Sequence, residues 1–138
     1  MRAKEVMENT PNGKVKKGIL AYVISDTDRS RLAHQFPPKF SEFIGHHITY
    51  QLGWPVDQLA PEFSSFDIVG YACDDTGIEA LVVEVDGSTA RPDGKTYHIT
   101  WSLDRSAGFS PRMSNDLVAK GWQAIANPIN IHASAKII

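Results

Sequence analysis

Two stretches of this chain hold the side chains best suited to chemistry. His46-His47-Ile48-Thr49-Tyr50-Gln51-Leu52-Gly53 is echoed by Tyr97-His98-Ile99-Thr100-Trp101-Ser102-Leu103-Asp104. Aligned, the octets share His, Ile, Thr and Leu, and an aromatic ring follows each Thr. An unperturbed imidazole titrates near neutrality, so one histidine of a pair can be neutral while the other is protonated. Such a pair can take a proton at one point of a substrate and give one at another. Transfers of this kind are typically worth ~10²–10⁴-fold in rate and give a bell-shaped pH dependence. With two unperturbed imidazoles the bell is expected near neutrality. A hydroxyl two residues from each imidazole can donate to negative charge on the reacting group. His47 and His98 are therefore the candidate catalytic residues, and Thr49 and Thr100 the candidate anion-binding ones. The two imidazoles would titrate as a pair, and the residues do not say which is the acid.

This chemistry needs the two copies side by side. Both read as strands, with β-branched and aromatic residues throughout and turn-formers close behind. Side chains alternate faces along a strand. His47, Thr49 and Gln51 then share one face, as do His98, Thr100 and Ser102. Ile48, Tyr50, Leu52, Ile99, Trp101 and Leu103 point the other way, as a core requires. Neighbours in the same sheet would bring two histidines and two threonines onto one patch. His46 and His47, adjacent in a strand, are expected on opposite faces. No Cys or carboxylate stands at metal-ligand spacing, so a zinc site is not expected.

The paired His-apolar-Thr segments resemble the two-histidine phosphoesterase superfamily. Its mark is a pair of His-apolar-Thr/Ser (HxT) motifs, one in each half of a pseudo-symmetric fold. His47-Ile-Thr-Tyr-Gln-Leu-Gly is similar to the family's first motif, which often runs on into Leu-Gly. The resemblance covers roughly residues 18–138. The interval between His47 and His98 is short for the family, so the lobe between them must be pared down. Members include bacterial RNA 2′,3′-cyclic phosphodiesterases, the cyclic phosphodiesterase domain of fungal and plant tRNA ligases, and phage enzymes that degrade cyclic oligonucleotide signals. The resemblance implies a metal-independent phosphoesterase with no cofactor. Its substrate would be a 2′,3′-cyclic phosphate on an RNA end or nucleotide, or a cyclic oligonucleotide. Opening such a diester needs a base for water, an acid for the leaving alkoxide and donors for the non-bridging oxygens. His47 and His98 would fill the first two roles, and Thr49 and Thr100 would bind phosphate. The alternative is a module on the same fold that captures an RNA end or nucleotide without turning it over. The intact pair of motifs favours the enzyme.

Further substrate contacts are expected from residues beside the motifs. Tyr97 precedes His98 and Trp54 follows the first motif; either ring could stack on a base, with core packing as the alternative for each. Lys95, Arg112 and Lys39 could pair with phosphate, with plain solvation as the alternative. His34 and His132 belong to no motif.

A formal net charge of −2 argues against a general nucleic-acid coat but leaves room for a local basic pocket. It favours a small ligand over a long RNA. The single Cys73 suggests no disulfide and no secretion, and no run resembles a signal peptide or a membrane span, so a cytoplasmic protein without membrane contact is expected. Nothing in the residues identifies a protein partner. Residues 1–17 are expected to form a flexible tail with a Pro-Asn-Gly turn and three lysines, and 18–138 a single domain.

Along that domain, Gly18 to Ser25 reads as a buried strand. A short helix is expected from Arg29 to about Phe36, capped by Asp26, Thr27 or Asp28 and stopped by Pro37 and Pro38. Residues 54–60 suggest a turn and one helical turn. Phe66 to Cys73 and Ile78 to Val85 read as a hairpin across Asp74-Asp75-Thr76-Gly77. A second helix is expected from Ser110, Ser114 or Asn115 through Trp122, and the last strand or two from residues 123–138. The fold class is α+β. Two pseudo-symmetric strand–helix–strand lobes, with a mostly antiparallel sheet, should surround a cleft carrying both HxT motifs.

Overall fold

A computed structural model describes residues 16–138. Its strands are β1 (Lys17–Ile24), β2 (Glu42–Phe43), β3 (His47–Pro55), β4 (Phe66–Asp74), β5 (Ile78–Val85), β6 (His98–Leu103), β7 (Gln123–Ile131) and β8 (Ala133–Ile137). Two helices, α1 (Asp26–Gln35) and α2 (Ser114–Ala119), complete a sheet-dominated α+β fold. The strand order is β7-β4-β5-β6-β3-β1-β8, with β2 on β6, and these pairings are antiparallel. β7 and β8 lie at opposite ends of that order, yet only His132 separates them in the chain. In a flat sheet those ends would stand about 29 Å apart, at ~4.8 Å per strand spacing. One residue reaches at most ~3.6 Å. The sheet therefore curls until its two edges meet on the run from Gln123 to Ile137.

The concave side is the core. Leu20, Tyr22 and Ile24 of β1, Ile48 of β3, Leu81, Val83 and Val85 of β5, and Ile99 and Trp101 of β6 pack there with Leu32 of α1. Burial of each such side chain is worth roughly 1.5–3 kcal/mol. β5 is buried at almost every position because both its faces are covered. Its other face, Ala80 and Val82, packs under Val118 and Leu117 of α2. The hairpin β4–β5 and the alternation within each His-Ile-Thr segment agree with the sequence pattern; Leu52, expected to face the core, is instead exposed, because the strand is bulged after Thr49.

Several elements differ from expectation at their ends. α1 begins at Asp26, one turn before Arg29, and its cap is Ser25, whose hydroxyl accepts from the Asp28 N–H at 3.2 Å. Asp28 is no cap because it turns inward. It accepts from Arg31 Nη2 at 2.8 Å, from the His132 backbone N–H at 2.6 Å and from His132 Nδ1 at 3.1 Å. α2 is shorter than expected. Pro111–Met113 form a 3₁₀ turn, the helix ends at Ala119, and Gly121 (φ +130°) turns the chain so that Trp122 lies over Gly70. Residues 54–60 hold no helical turn, since β3 runs on to Pro55. Lys17 belongs to β1, opposite Pro55, so the folded part begins one residue earlier than expected; the tail's residues 1–15 lie outside the described residues.

Asp28 ties α1 to the join between β7 and β8. Burial pushes its carboxyl up, but hydrogen bonds from Arg31, the His132 backbone and ring, and Ser25 outweigh burial and hold it at about 2. Its contribution is present above the ordinary carboxylate value and is lost as pH falls through about 2. Asp28→Ala also removes the acceptor of the His132 N–H. Urea unfolding of that variant at neutral pH should show a loss of roughly 1–3 kcal/mol, and the variant should lose the wild type's acid-side destabilisation below the ordinary carboxylate value.

Candidate functional site

β3 and β6 are neighbours, and Ile48 stands opposite Ile99. In antiparallel register that pairing sets His47 beside Thr100 and Thr49 beside His98. All four point away from the core, and all four line one open pocket of about 280 Å³. The outer neighbours repeat the pattern. β1 sets Val23, Tyr22 and Ala21 opposite His47, Ile48 and Thr49; β5 sets Val82, Leu81 and Ala80 opposite His98, Ile99 and Thr100.

The repeat extends to an irregularity. The β1–β3 register shifts between Thr49 and Gln51, and the β5–β6 register shifts between Thr100 and Ser102. Tyr50 and Trp101, the rings after the threonines, are the extra residues of the two bulges. A bulge breaks simple alternation. Gln51 and Ser102 therefore do not continue the His-Thr rows, as strict alternation would have them. Neither lines the pocket. Ser102 is fully buried, donates to the Glu79 carboxylate and accepts from the Phe40 N–H at 3.0 Å.

His98 is buried, and its wiring is one-directional. Its Nδ1 lies 2.7 Å from the Thr96 carbonyl, which only accepts, so Nδ1 carries the proton. Neutral His98 thus has a bare Nε2, which stands 2.9 Å from the Ser114 hydroxyl. Ser114, at the start of α2, also lies 2.7 Å from Thr100 Oγ1 and 2.7 Å from the Pro111 carbonyl. One hydroxyl therefore joins the second histidine to its threonine. Burial lowers the His98 pKa, with Arg91 adding to it, against the opposing pull of the Thr96 hydrogen bond and Asp93.

His47 is half-buried, and its Nδ1 lies 3.0 Å from Nδ1 of His46. That contact corrects the expectation that the two rings point to opposite faces. His46 precedes β3, following Gly45 at φ +48°, so strand alternation does not govern it. Burial pushes His47 down to about 4, helped by His46 and His98. Both imidazoles of the free site are therefore neutral at neutral pH, unlike the unperturbed pair assumed from sequence.

Three cations border the pocket: Arg91, Lys95 and Arg112. Arg91 is held by Asp93 through Nε at 3.1 Å and Nη2 at 2.8 Å. Lys95 and Arg112 line the pocket; Lys39 does not, and pairs with Asp75 at 2.5 Å. Tyr97 and Trp54 are not available for stacking. Both are core residues, with Tyr97 stacked on Tyr50 at 6.3 Å between centroids and Trp54 edge-on to the same ring. The reason is parity for Tyr97, which alternates with His98 and so faces inward. Arg91 and Ser114 were missed: Arg91 stands just ahead of the Pro92-Asp93-Gly94 loop, and Ser114 was read only as a helix cap. Among the described residues no three His, Cys, Asp or Glu side chains gather as metal ligands, and no helix is long and apolar enough to cross a membrane.

Compared with known protein families, curated proteins and solved structures, the chain matches none.

The depressed imidazoles have a consequence for stability. Below the ordinary value of 6.5 the unfolded chain takes up protons that folded His47 refuses until about 4. Unfolding free energy should fall as pH drops through that window, above the range in which Asp28 titrates. Urea titrations at pH 7 and pH 5 should show a clear loss for the wild type and a smaller one for His47→Gln.

Proposed function

We propose that the pocket binds a phosphodiester and that the protein is a metal-independent phosphoesterase of cyclic nucleotides. The observation that carries this reading is the register at Ile48 and Ile99, which gathers two imidazoles and two hydroxyls on one face of adjacent strands. On this reading the equivalent pairings on either side of that crossing are the two lobes of a pseudo-symmetric HxT fold, with the cleft between them. Arg91, Lys95 and Arg112 supply the positive field for phosphate. A pocket of this size, in a chain of net charge −2, suits a nucleotide or an RNA end better than an extended strand.

The hydrogen-bond partners support one division of roles. Thr96 keeps the His98 proton on Nδ1, so Nε2 is the base that takes a proton from water. His47, whose partner is another imidazole, is the acid that protonates the leaving oxygen. Thr49 and Thr100 donate to the non-bridging oxygens as charge develops. A bound anion raises both imidazole pKa values, because nearby negative charge favours the protonated form. The kcat/KM profile, which reports the free enzyme, should therefore be a bell displaced to the acid side of 6.5. The kcat profile, which reports the complex, should lie to its alkaline side. A kcat/KM profile flat from pH 4 to 8 would remove the histidines from the mechanism.

Purified protein should be screened against 2′,3′-cyclic mononucleotides and cyclic di- and trinucleotides with EDTA present. Turnover that survives EDTA is expected, and loss of it, restored by zinc or manganese, would mean different chemistry. His47→Ala and His98→Ala should each lower kcat by ~10²–10⁴-fold. The double variant should be little worse than either, because the two act as a unit. Thr49→Val and Thr100→Val should cost roughly 1–3 kcal/mol each in transition-state stabilisation.

One observation favours a second reading, capture without turnover. Nε2 of His98, which the mechanism needs free, is engaged by the Ser114 hydroxyl. Calorimetric binding of a 2′,3′-cyclic nucleotide with no product by chromatography would select it.

A further inference from the structure

We propose that His46 is a positioning and proton-sharing residue for His47, so that the first imidazole of the site works as a two-histidine dyad. Its consequence for turnover rests on the phosphoesterase reading; its chemistry does not. The two Nδ1 atoms stand 3.0 Å apart. Two N–H groups would clash there and two lone pairs would repel, so one proton lies between the rings. In the resting pair His46 donates its Nδ1–H, and the His47 proton sits on Nε2, the nitrogen left for the pocket. A proton from water entering at His46 Nε2 sends the shared proton across, and His47 becomes the imidazolium, donating Nδ1–H to a bare Nδ1 on His46. When His47 Nε2 gives its proton to the leaving oxygen, His47 keeps Nδ1–H. The resting pair returns as a proton enters at His47 Nε2, the shared proton moves back and His46 Nε2 releases one to water. A backbone carbonyl, such as the one that holds His98, serves only the states with Nδ1–H on His47; His46 serves all of them.

The fold holds His46 in place for this. The Gly45 N–H donates to the Thr100 carbonyl at 3.0 Å, and the Ile24 N–H donates to the His46 carbonyl at 3.1 Å. Arg29 of α1 donates from Nε to the Gly45 carbonyl at 2.9 Å and from Nη2 to the Ile44 carbonyl at 3.0 Å, with its guanidinium 3.9 Å from the Phe43 ring centroid. A side chain added at Gly45 would meet Phe43 and Trp101 in addition to the strain of φ +48°. The His46 ring is exposed, so it exchanges protons with water while His47 is half-buried. The groups facing His47 from other elements are His98 and Thr100 on β6, Arg91 and Lys95 before it, and Arg112 before α2. No Asp or Glu is among the described residues that line the pocket. His46 is thus the neighbour through which the Nδ1 proton of His47 exchanges with water.

The test uses the full chain labelled with ¹⁵N-histidine, with inorganic phosphate as the probe. In the wild type, His46 should show the less common Nδ1–H tautomer at high pH, and the two rings should titrate in coupled steps that phosphate moves upward. In His46→Phe, His47 should titrate alone in one step. In the pH–rate profile of any cyclic nucleotide turned over, His46→Phe should lower kcat by about tenfold, the loss of one positioning hydrogen bond, with KM little changed. His46→Asn, whose amide can donate or accept near the same position, should restore most of it. Independent titration of His46 as an ordinary Nε2–H ring would overturn the dyad whatever the activity. Equal rate loss in the Phe and Asn variants would overturn its functional part. Coupled titration in a protein that hydrolyses no phosphodiester would leave the dyad standing and count against the phosphoesterase reading.

Discussion

Ile48 and Ile99 face each other where β3 meets β6, both without exposed surface. Side-chain parity in a sheet makes that one pairing decisive. A slip of one residue in either strand would carry its histidine and threonine into the core and its apolar residues into solvent. The burial of Ile48, Ile99 and Trp101 therefore specifies the register, and the register places His47, Thr49, His98 and Thr100. The apolar face behind the pocket sets its register, and within the pocket the Ser114 hydroxyl joins His98 to Thr100. The outer strands reinforce the arrangement, because β1 and β5 each lie beside one His-Ile-Thr segment with the same sequence of partners and the same bulge beyond it.

That dependence has an electrostatic side. Placing imidazoles one residue from core side chains removes them from water, and burial is the leading cause of the lowered pKa at both His47 and His98. At His98 the neighbouring Arg91 pushes the same way, against Asp93. The two imidazoles are thus neutral at neutral pH, and on the proposed reading a bound phosphate would offset both their desolvation and the positive charge beside His98. The two halves part company at the second partner. His98 is locked by a carbonyl and a hydroxyl, whereas His47 faces an imidazole. Two segments of near-identical sequence thus acquire different proton chemistry from what the fold sets behind them.

The edges of the sheet explain the remaining architecture. β7 and β8 run as one stretch across both ends of the strand order, and Asp28 holds their junction to the first helix. Among the described residues β7 pairs only with β4, and β8 only with β1. The second pairing also brings Ile138 to β1, where Ile19 and Ile138 exchange backbone hydrogen bonds at 3.2 and 2.9 Å and both line the apolar side of the pocket.

From the sequence alone came the two His-Ile-Thr strands and the faces of those three residues in each, because period-2 alternation is a local property that a repeated His-Ile-Thr displays without tertiary help. The β4–β5 hairpin and the proline stop after α1 were legible for the same reason. Tertiary structure decided what depends on distant residues. Tyr97 and Trp54 went into the core because their strand faces were already committed to it. Gln51 and Ser102 left the His-Thr rows because bulges form against a partner strand, which one strand's pattern does not reveal. Ser114 and Arg91 joined the pocket from segments whose local signals were only a helix cap and a loop. His46 turned toward His47 because Gly45 and the Arg29 clamp hold it outside the strand. Hydrogen-bond partners, burial and charge all come from residues far apart in the chain, so the proton state of the two histidines was beyond what their spacing could tell.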